Sequence, residues 1–353
     1  VAKSRQITSK RSERVTGADL KKWIAKLPPP TQLSTVGDEA EIETSLQYLA
    51  SQDAAKSLAL NCYWPKWDSP WWHMAVLYEM GLAHRIPSSS LEWMVTSVKQ
   101  LLPIFFRADL PPGRDPFLDT PCPCSLGNIY QILSAAGADM DTALPWARSW
   151  FLRYQMPDGG LSCDEEAYLA EPEASSVVGT IAPLEAILYS TSRSFSPAEA
   201  DFLDRGANCL IERELRLGCL APQNLEEKED EEDWKKLCFP RYYYYDILRG
   251  LTFILKWADR RQKKLPAASI QNVVAALIEK SPDGILRTER FSYREVGTRF
   301  PTEDGFWVRR EQATTFPLLL KVSEIGQPSP SLTTKWNECR QLMARLIDAG
   351  LIA

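Results

Sequence analysis

The sequence has 353 residues, 44% hydrophobic and 25% charged, a balance suited to a globular protein with a substantial core. Its formal net charge of −5 excludes general affinity for nucleic acid or anionic membrane, both of which need a basic surface. No run of about 18 apolar residues occurs, so no membrane span is expected. The eight cysteines read as free thiols in a reducing, cytoplasmic setting, because the apolar content suffices for a core without cross-links.

In chain order, residues 1–37 carry a basic, Ser/Thr-rich start and the run Leu27-Pro-Pro-Pro30, and read as a partly disordered arm with one short helix over Gly17–Lys26. The remainder, 38–353, reads as a single domain. Asp38–Ala55 has helical spacing through Ile42, Leu46 and Leu49, with Asp38 placed as N-cap. An aromatic loop, Tyr63–Trp67, follows.

Helix pairs then repeat every 50–70 residues, roughly, which predicts a helical array. The first helix of each pair is expected over Pro70–Ala83, Cys124–Ala136, Ser175–Thr191, Tyr242–Asp259 and Arg309–Ile325. The second is expected over Ser90–Phe106, Thr142–Gln155, Pro197–Arg213, Pro266–Lys280 and Ser331–Ala349. Prolines 87, 197, 266 and 330 open second helices, where the first-turn N–H lacks a partner anyway. Glycines 81, 137 and 326 close first helices. Two second helices end in related tight turns, Gln155-Met-Pro-Asp-Gly-Gly160 and Lys280-Ser-Pro-Asp-Gly284. First helices that are apolar nearly all round, as over Ile181–Tyr189, belong between two layers. The fold class expected is all-α: an α/α toroid of about 11–12 helices, an inner ring wrapped by an outer one.

The Gln-x-Pro-Asp-Gly-Gly turn between an outer and an inner helix resembles the repeat of the terpenoid cyclase and protein prenyltransferase superfamily, the squalene-cyclase-like toroids. That resemblance covers residues 38–350 and bears on architecture rather than reaction. It implies a central cavity for an elongated apolar ligand, isoprenoid or lipid-like, and it directs attention to the pole where the inner-helix N-termini meet. There the helix ends favour an anionic or polar head group. The Asp-x-Asp-Asp motif of the acid-initiated cyclases is incomplete: Asp139-Met-Asp141-Thr142 lacks its last Asp and suits a helix N-cap. The resemblance also raises a zinc site from His73, Cys122 and Cys124 with Asp119 nearby, although Cys-Pro-Cys is not the usual clamp. No cofactor is expected otherwise.

The candidate site centres on Arg241-Tyr-Tyr-Tyr-Tyr-Asp246, with Arg249 one turn on. Asp246, Tyr245 and His73 are the candidate catalytic groups; Arg241, Tyr242 and Arg249 are expected at the ligand. If Tyr242–Tyr245 lie on a helix, their rings point all round it, and Asp246 can pair with Arg249 on one face. Trp67, Trp71 and Trp72 are expected to form an aromatic wall, with Trp307 and Arg310 opposite. Of the acidic residues after the Pro-Asp-Gly-Gly turn (Asp164, Glu165, Glu166, Glu171, Glu173), one facing inward would be an acid or base. Glu226–Asp233 is expected as a solvated loop. Two rival functions remain at this point. A glycan-active barrel would need two facing carboxylates; a non-catalytic scaffold would have a plugged centre.

Overall fold

A computed structural model describes residues 15–30, 33, 39–171, 174–218, 225–293, 297–304 and 306–353. The fold is all-α, with one short hairpin among the described residues. Its helices are α1 (Gly17–Ala25), α2 (Glu39–Leu49), α3 (Gln52–Leu60), α4 (Pro70–Glu79), α5 (Ser88–Val98), α6 (Pro116–Asp119), α7 (Pro123–Ala135), α8 (Met140–Ala143) and α9 (Ala147–Arg153). They continue with α10 (Glu166–Leu169), α11 (Val177–Ser190), α12 (Pro197–Glu212), α13 (Leu225–Trp234), α14 (Ile247–Arg261) and α15 (Ala267–Lys280). Strands β1 (Thr298–Pro301) and β2 (Trp307–Arg310) pair antiparallel before α16 (Pro317–Val322) and α17 (Pro330–Asp348).

The layout is that of the expected α/α toroid. Helices α4, α7, α11 and α14 stand side by side, α12 packs on α11 and α14, and α9 and α15 adjoin α12, α15 also packing on α14. Helix α11 is buried along nearly its whole length, as its all-round apolarity requires. Its tightest neighbour is α7. A Cβ on Gly127 would sit 2.5 Å from the Ala182 carbonyl carbon, so only glycine permits that approach. Gln131 Nε2 donates to the carbonyls of both Gly127 and Ala182 at 3.1 Å, stitching the two backbones where Pro183 interrupts α11.

Caps set the helix starts. Ser176 accepts from the Gly179 N–H, and Ser196 with Glu199 forms a capping box on α12. Asp139 caps α8, as its string predicted. In the Pro-Asp-Gly-Gly turn, Asp158 accepts from the N–H (3.0 Å) and hydroxyl (2.8 Å) of Ser175 and pairs with Arg213 at 3.1 Å. The turn therefore fixes the approach to α11. Helix α1 of the expected arm lies against α15 and α17; residues 1–14 and Asp38 lie outside the described residues.

Four expectations need correction. The Tyr242–Tyr245 run is not helical: α14 starts at Ile247, after Asp246. Arg309–Ile325 is not one helix, since Pro317 holds Phe316 extended (φ −122°, ψ 158°) and the preceding residues form β2. Helix α17, expected in the outer layer, instead lies along α14 and faces the interior of the ring. The acidic run is helical, as α13, because Glu227 is buried and accepts from the Val177 N–H at 2.5 Å at the start of α11.

Candidate functional site

The pole where the N-termini of α4, α7 and α14 meet is filled. Trp67, Trp71 and Trp72 are buried, with Trp72 4.4 Å from Trp67 and 4.1 Å from Trp71, centroid to centroid. Tyr242 meets Trp72 edge-on at 4.9 Å. Trp71 Nε1 donates to Asn128 Oδ1 (3.0 Å), whose Nδ2 donates to the Tyr242 carbonyl (3.1 Å). The expected aromatic wall is thus core packing at this pole. His73 joins that core: its ring stacks on Phe316 at 3.6 Å, and its Nε2 lies 3.6 Å from Asp68. Burial lowers the His73 pKa below its ordinary value, against the opposing pull of Asp68.

The segment Phe239–Tyr245 runs from this pole into the ring. Tyr242 has a left-handed backbone (φ 55°), a costly conformation for a bulky residue that the surrounding bonds hold in place. Glu79, the last residue of α4, accepts from the N–H groups of Arg241 (2.8 Å) and Tyr242 (2.6 Å) and from Arg241 Nε (3.1 Å). These acceptors are why the tyrosine run leaves the helix. Arg249 is held likewise. Its guanidinium donates to Glu185 at 2.6 Å and to the carbonyls of Tyr242 (3.0 Å) and Tyr244 (2.6 Å). Burial opposes the charge on Arg241, and the carboxylates of Glu79, Asp246 and Glu185 outweigh it, raising the guanidinium above its ordinary range.

Beyond this segment lies a chamber of about 430 Å³. Met80, Ala135 and Tyr189 from the last turns of α4, α7 and α11 line it, with Lys256 of α14 and Lys335 of α17. Arg241, Tyr242 and Arg249 form part of its wall. Its wall, however, carries the ion pairs Glu79–Arg241 and Glu185–Arg249, which an apolar ligand would leave buried beside hydrocarbon. Asp246 and Tyr245 are not in the chamber. Asp246 is fully buried and caps α14 by accepting from the Arg249 N–H at 2.8 Å, so it does not form the expected side-chain pair with Arg249. The Tyr245 hydroxyl donates to the Leu215 carbonyl at 2.8 Å. Trp307 and Arg310 sit on the hairpin, outside the chamber, with the Arg310 guanidinium over the Phe300 ring.

A second cleft, of about 360 Å³, opens beside the N-terminus of α7. Leu101, Phe105, Phe117, Leu118, Leu126 and Ile129 form its apolar wall. Four cysteines line it: Cys62, and a cluster made of Cys122 at the N-cap of α7, Cys124 in its first turn, and Cys163 just past the Pro-Asp-Gly-Gly turn. The sulfurs of the cluster lie within 4.8 Å of one another. Hydrogen bonds from the Cys124 and Cys163 thiols, and from the backbone N–H groups of Cys124 and Ser125, hold Cys122 well below the ordinary thiol value. His73 is not in this group, which corrects the expected His73/Cys122/Cys124 set; burial in the aromatic core removes it. Asp119 is also occupied elsewhere, accepting from the Asp115 N–H at 2.8 Å. Among the described acidic residues of its stretch, Glu165 lines the cleft, and it pairs with Arg107 at 3.1 Å.

Sequence reasoning missed Cys163, Glu79 and Glu185. A signal existed for two of them. Cys163 follows a turn that returns the chain to the pole carrying Cys122, and Glu185 is the lone charge in an otherwise apolar stretch, which requires a buried partner.

No family model and no curated protein matches the sequence. Among solved structures the chain is similar to a type II terpene cyclase from Scytonema in complex with its substrate, geranylgeranyl dihydroxybenzoate. The identity is 15%, the match covers 88% of this chain and 99% of that one, and the TM-score is 0.25, too low to bear on fold or chemistry.

Proposed function

We propose that the protein binds an elongated apolar small molecule, isoprenoid- or lipid-like, in the cleft beside α7, with the head end of the ligand at the three thiols. The observation that carries this reading is the apolar wall from Leu101 to Ile129 converging on Cys122 in a cleft of small-molecule size. The ligand thus moves from the ring centre to its flank, because the central chamber is crossed by two buried ion pairs. The glycan-active alternative draws no support from the chamber. Its wall carboxylates Glu79, Glu185 and Glu338 are each bound to a cation, whereas glycoside chemistry needs a pair free to exchange protons. The scaffold alternative has one observation in its favour, the filled aromatic pole.

The test is uptake of a fluorescent farnesyl alcohol analogue by the parent and by Phe117→Ser. Phe117 lines the cleft and is 56% exposed, so the fold tolerates its loss. Removing the ring forfeits about 1.5–3 kcal/mol of apolar burial in the complex, an approximately 10- to 100-fold weaker affinity. Equal uptake by the two proteins, or none by the parent, overturns the proposal.

A further inference from the structure

We propose that Cys122, Cys124 and Cys163 together hold one thiophilic d¹⁰ cation, zinc or copper(I), with its remaining coordination position open to the cleft. This assignment goes beyond the apolar-ligand reading and does not depend on it.

The sulfur positions fit such an ion. Zinc–thiolate bonds of about 2.3 Å place neighbouring sulfurs about 3.8 Å apart in tetrahedral geometry. Here Cys122 and Cys124 sulfurs are 3.3 Å apart, and the three sulfurs lie within 4.8 Å of one another, so small thiol rotations close the set. The donors are mounted on fixed elements. Cys122 and Cys124 flank Pro123 at the start of the 13-residue α7, whose N-terminal dipole favours thiolate. Cys163 sits in a loop pinned on both sides: the Ser162 N–H donates to the Tyr168 hydroxyl (3.2 Å), and the Asp164 N–H donates to Ser162 Oγ (3.1 Å).

The donor set selects the ion class. The nearby carboxylates are spent, Glu165 on Arg107 and Asp119 on its own turn, so the site is all sulfur and disfavours magnesium or calcium. Three protein ligands leave one position for a ligand atom, the pattern of reactive rather than purely structural zinc sites. Three thiolates around a divalent ion carry one net negative charge, and Lys66 lines the same cleft.

The experiment uses the full chain, reduced and freed of metal, then titrated with zinc or cobalt(II). One equivalent of zinc should bind per chain by elemental analysis, and cobalt should give an intense thiolate-to-metal charge-transfer band. Cys163→Ser should keep the parent melting temperature, since Cys163 is exposed. It should also weaken zinc binding by more than the roughly 10- to 100-fold that outer-shell changes cost. Cys339→Ser, away from the cleft, should leave zinc binding unchanged. Absence of stoichiometric zinc, a cobalt spectrum without the thiolate band, or a Cys163→Ser affinity equal to the parent's overturns the proposal. Farnesyl-analogue uptake by the metal-free protein separates failure here from failure of the apolar-ligand reading.

Discussion

Replacing Glu79 by Gln removes the acceptor on which the tyrosine segment hangs. The carboxylate takes up the N–H groups of Arg241 and Tyr242 and the Arg241 guanidinium, with distances between 2.6 and 3.1 Å. The Glu79 and Arg241 side chains are 5% and 12% exposed, so solvent screens the pair little. A glutamine turns an NH₂ toward donors and leaves a buried guanidinium without its counter-charge, which costs about 3–5 kcal/mol. Unfolding entropy is about 2.1 cal/mol/K per residue, roughly 0.7 kcal/mol/K for 353 residues, so the expected fall in Tm is about 4–7 °C. Differential scanning calorimetry on both proteins measures it. A fall below about 1 °C would refute the reasoning, because the pair would then be solvated rather than buried.

Asp246→Ala should lower stability by about 1–2 kcal/mol through loss of the α14 cap, while Asp246→Asn keeps most of it, since asparagine also caps well. Farnesyl-analogue uptake should be the same in both variants; lost uptake at unchanged Tm would return Asp246 to the binding site. His73 supplies a pH test. Its folded pKa lies below its ordinary 6.5, so the unfolded chain binds the proton more readily. The stability it permits is complete above about pH 6.5 and falls as pH drops through that value toward the folded pKa. His73→Gln should therefore show a shallower decline in Tm between pH 7 and 5 than the parent, and parallel curves would contradict this.

The helical layers were legible because burial writes itself into composition. Ile181–Tyr189 could only lie between two layers, and Pro and Gly marked where helices stop and start. The tyrosine run misled because its shape is decided by Glu79, more than 160 residues away, and no local pattern reports a distant acceptor. The same holds for α17. Its spacing is amphipathic, which suits an outer helix equally and does not report that it packs along α14. At the candidate site, Arg241, Tyr242 and Arg249 line the chamber, whereas the tryptophans, expected as an aromatic wall, are buried because the pole has a large volume to fill. Cys122 and Cys124 were visible as a pair; the third thiol required knowing where the Pro-Asp-Gly-Gly turn delivers the chain.

The bond from Glu79 to the Arg241 backbone also sets an order of events during folding. It joins points separated by 162 residues, so closing that loop is entropically costly until the intervening helices have docked. The left-handed turn at Tyr242 has local bonds, from the Tyr244 N–H to the Arg241 carbonyl (2.8 Å) and from Arg249 to the Tyr242 carbonyl (3.0 Å), but its own N–H is taken up only by the distant Glu79. We expect the segment to act as a latch that closes once α4 is docked beside α14, its amides reporting that one juxtaposition. Hydrogen exchange at Arg241 and Tyr242 should accordingly proceed through a sub-global opening of this segment, ahead of the amides in the middle of α7 and α11.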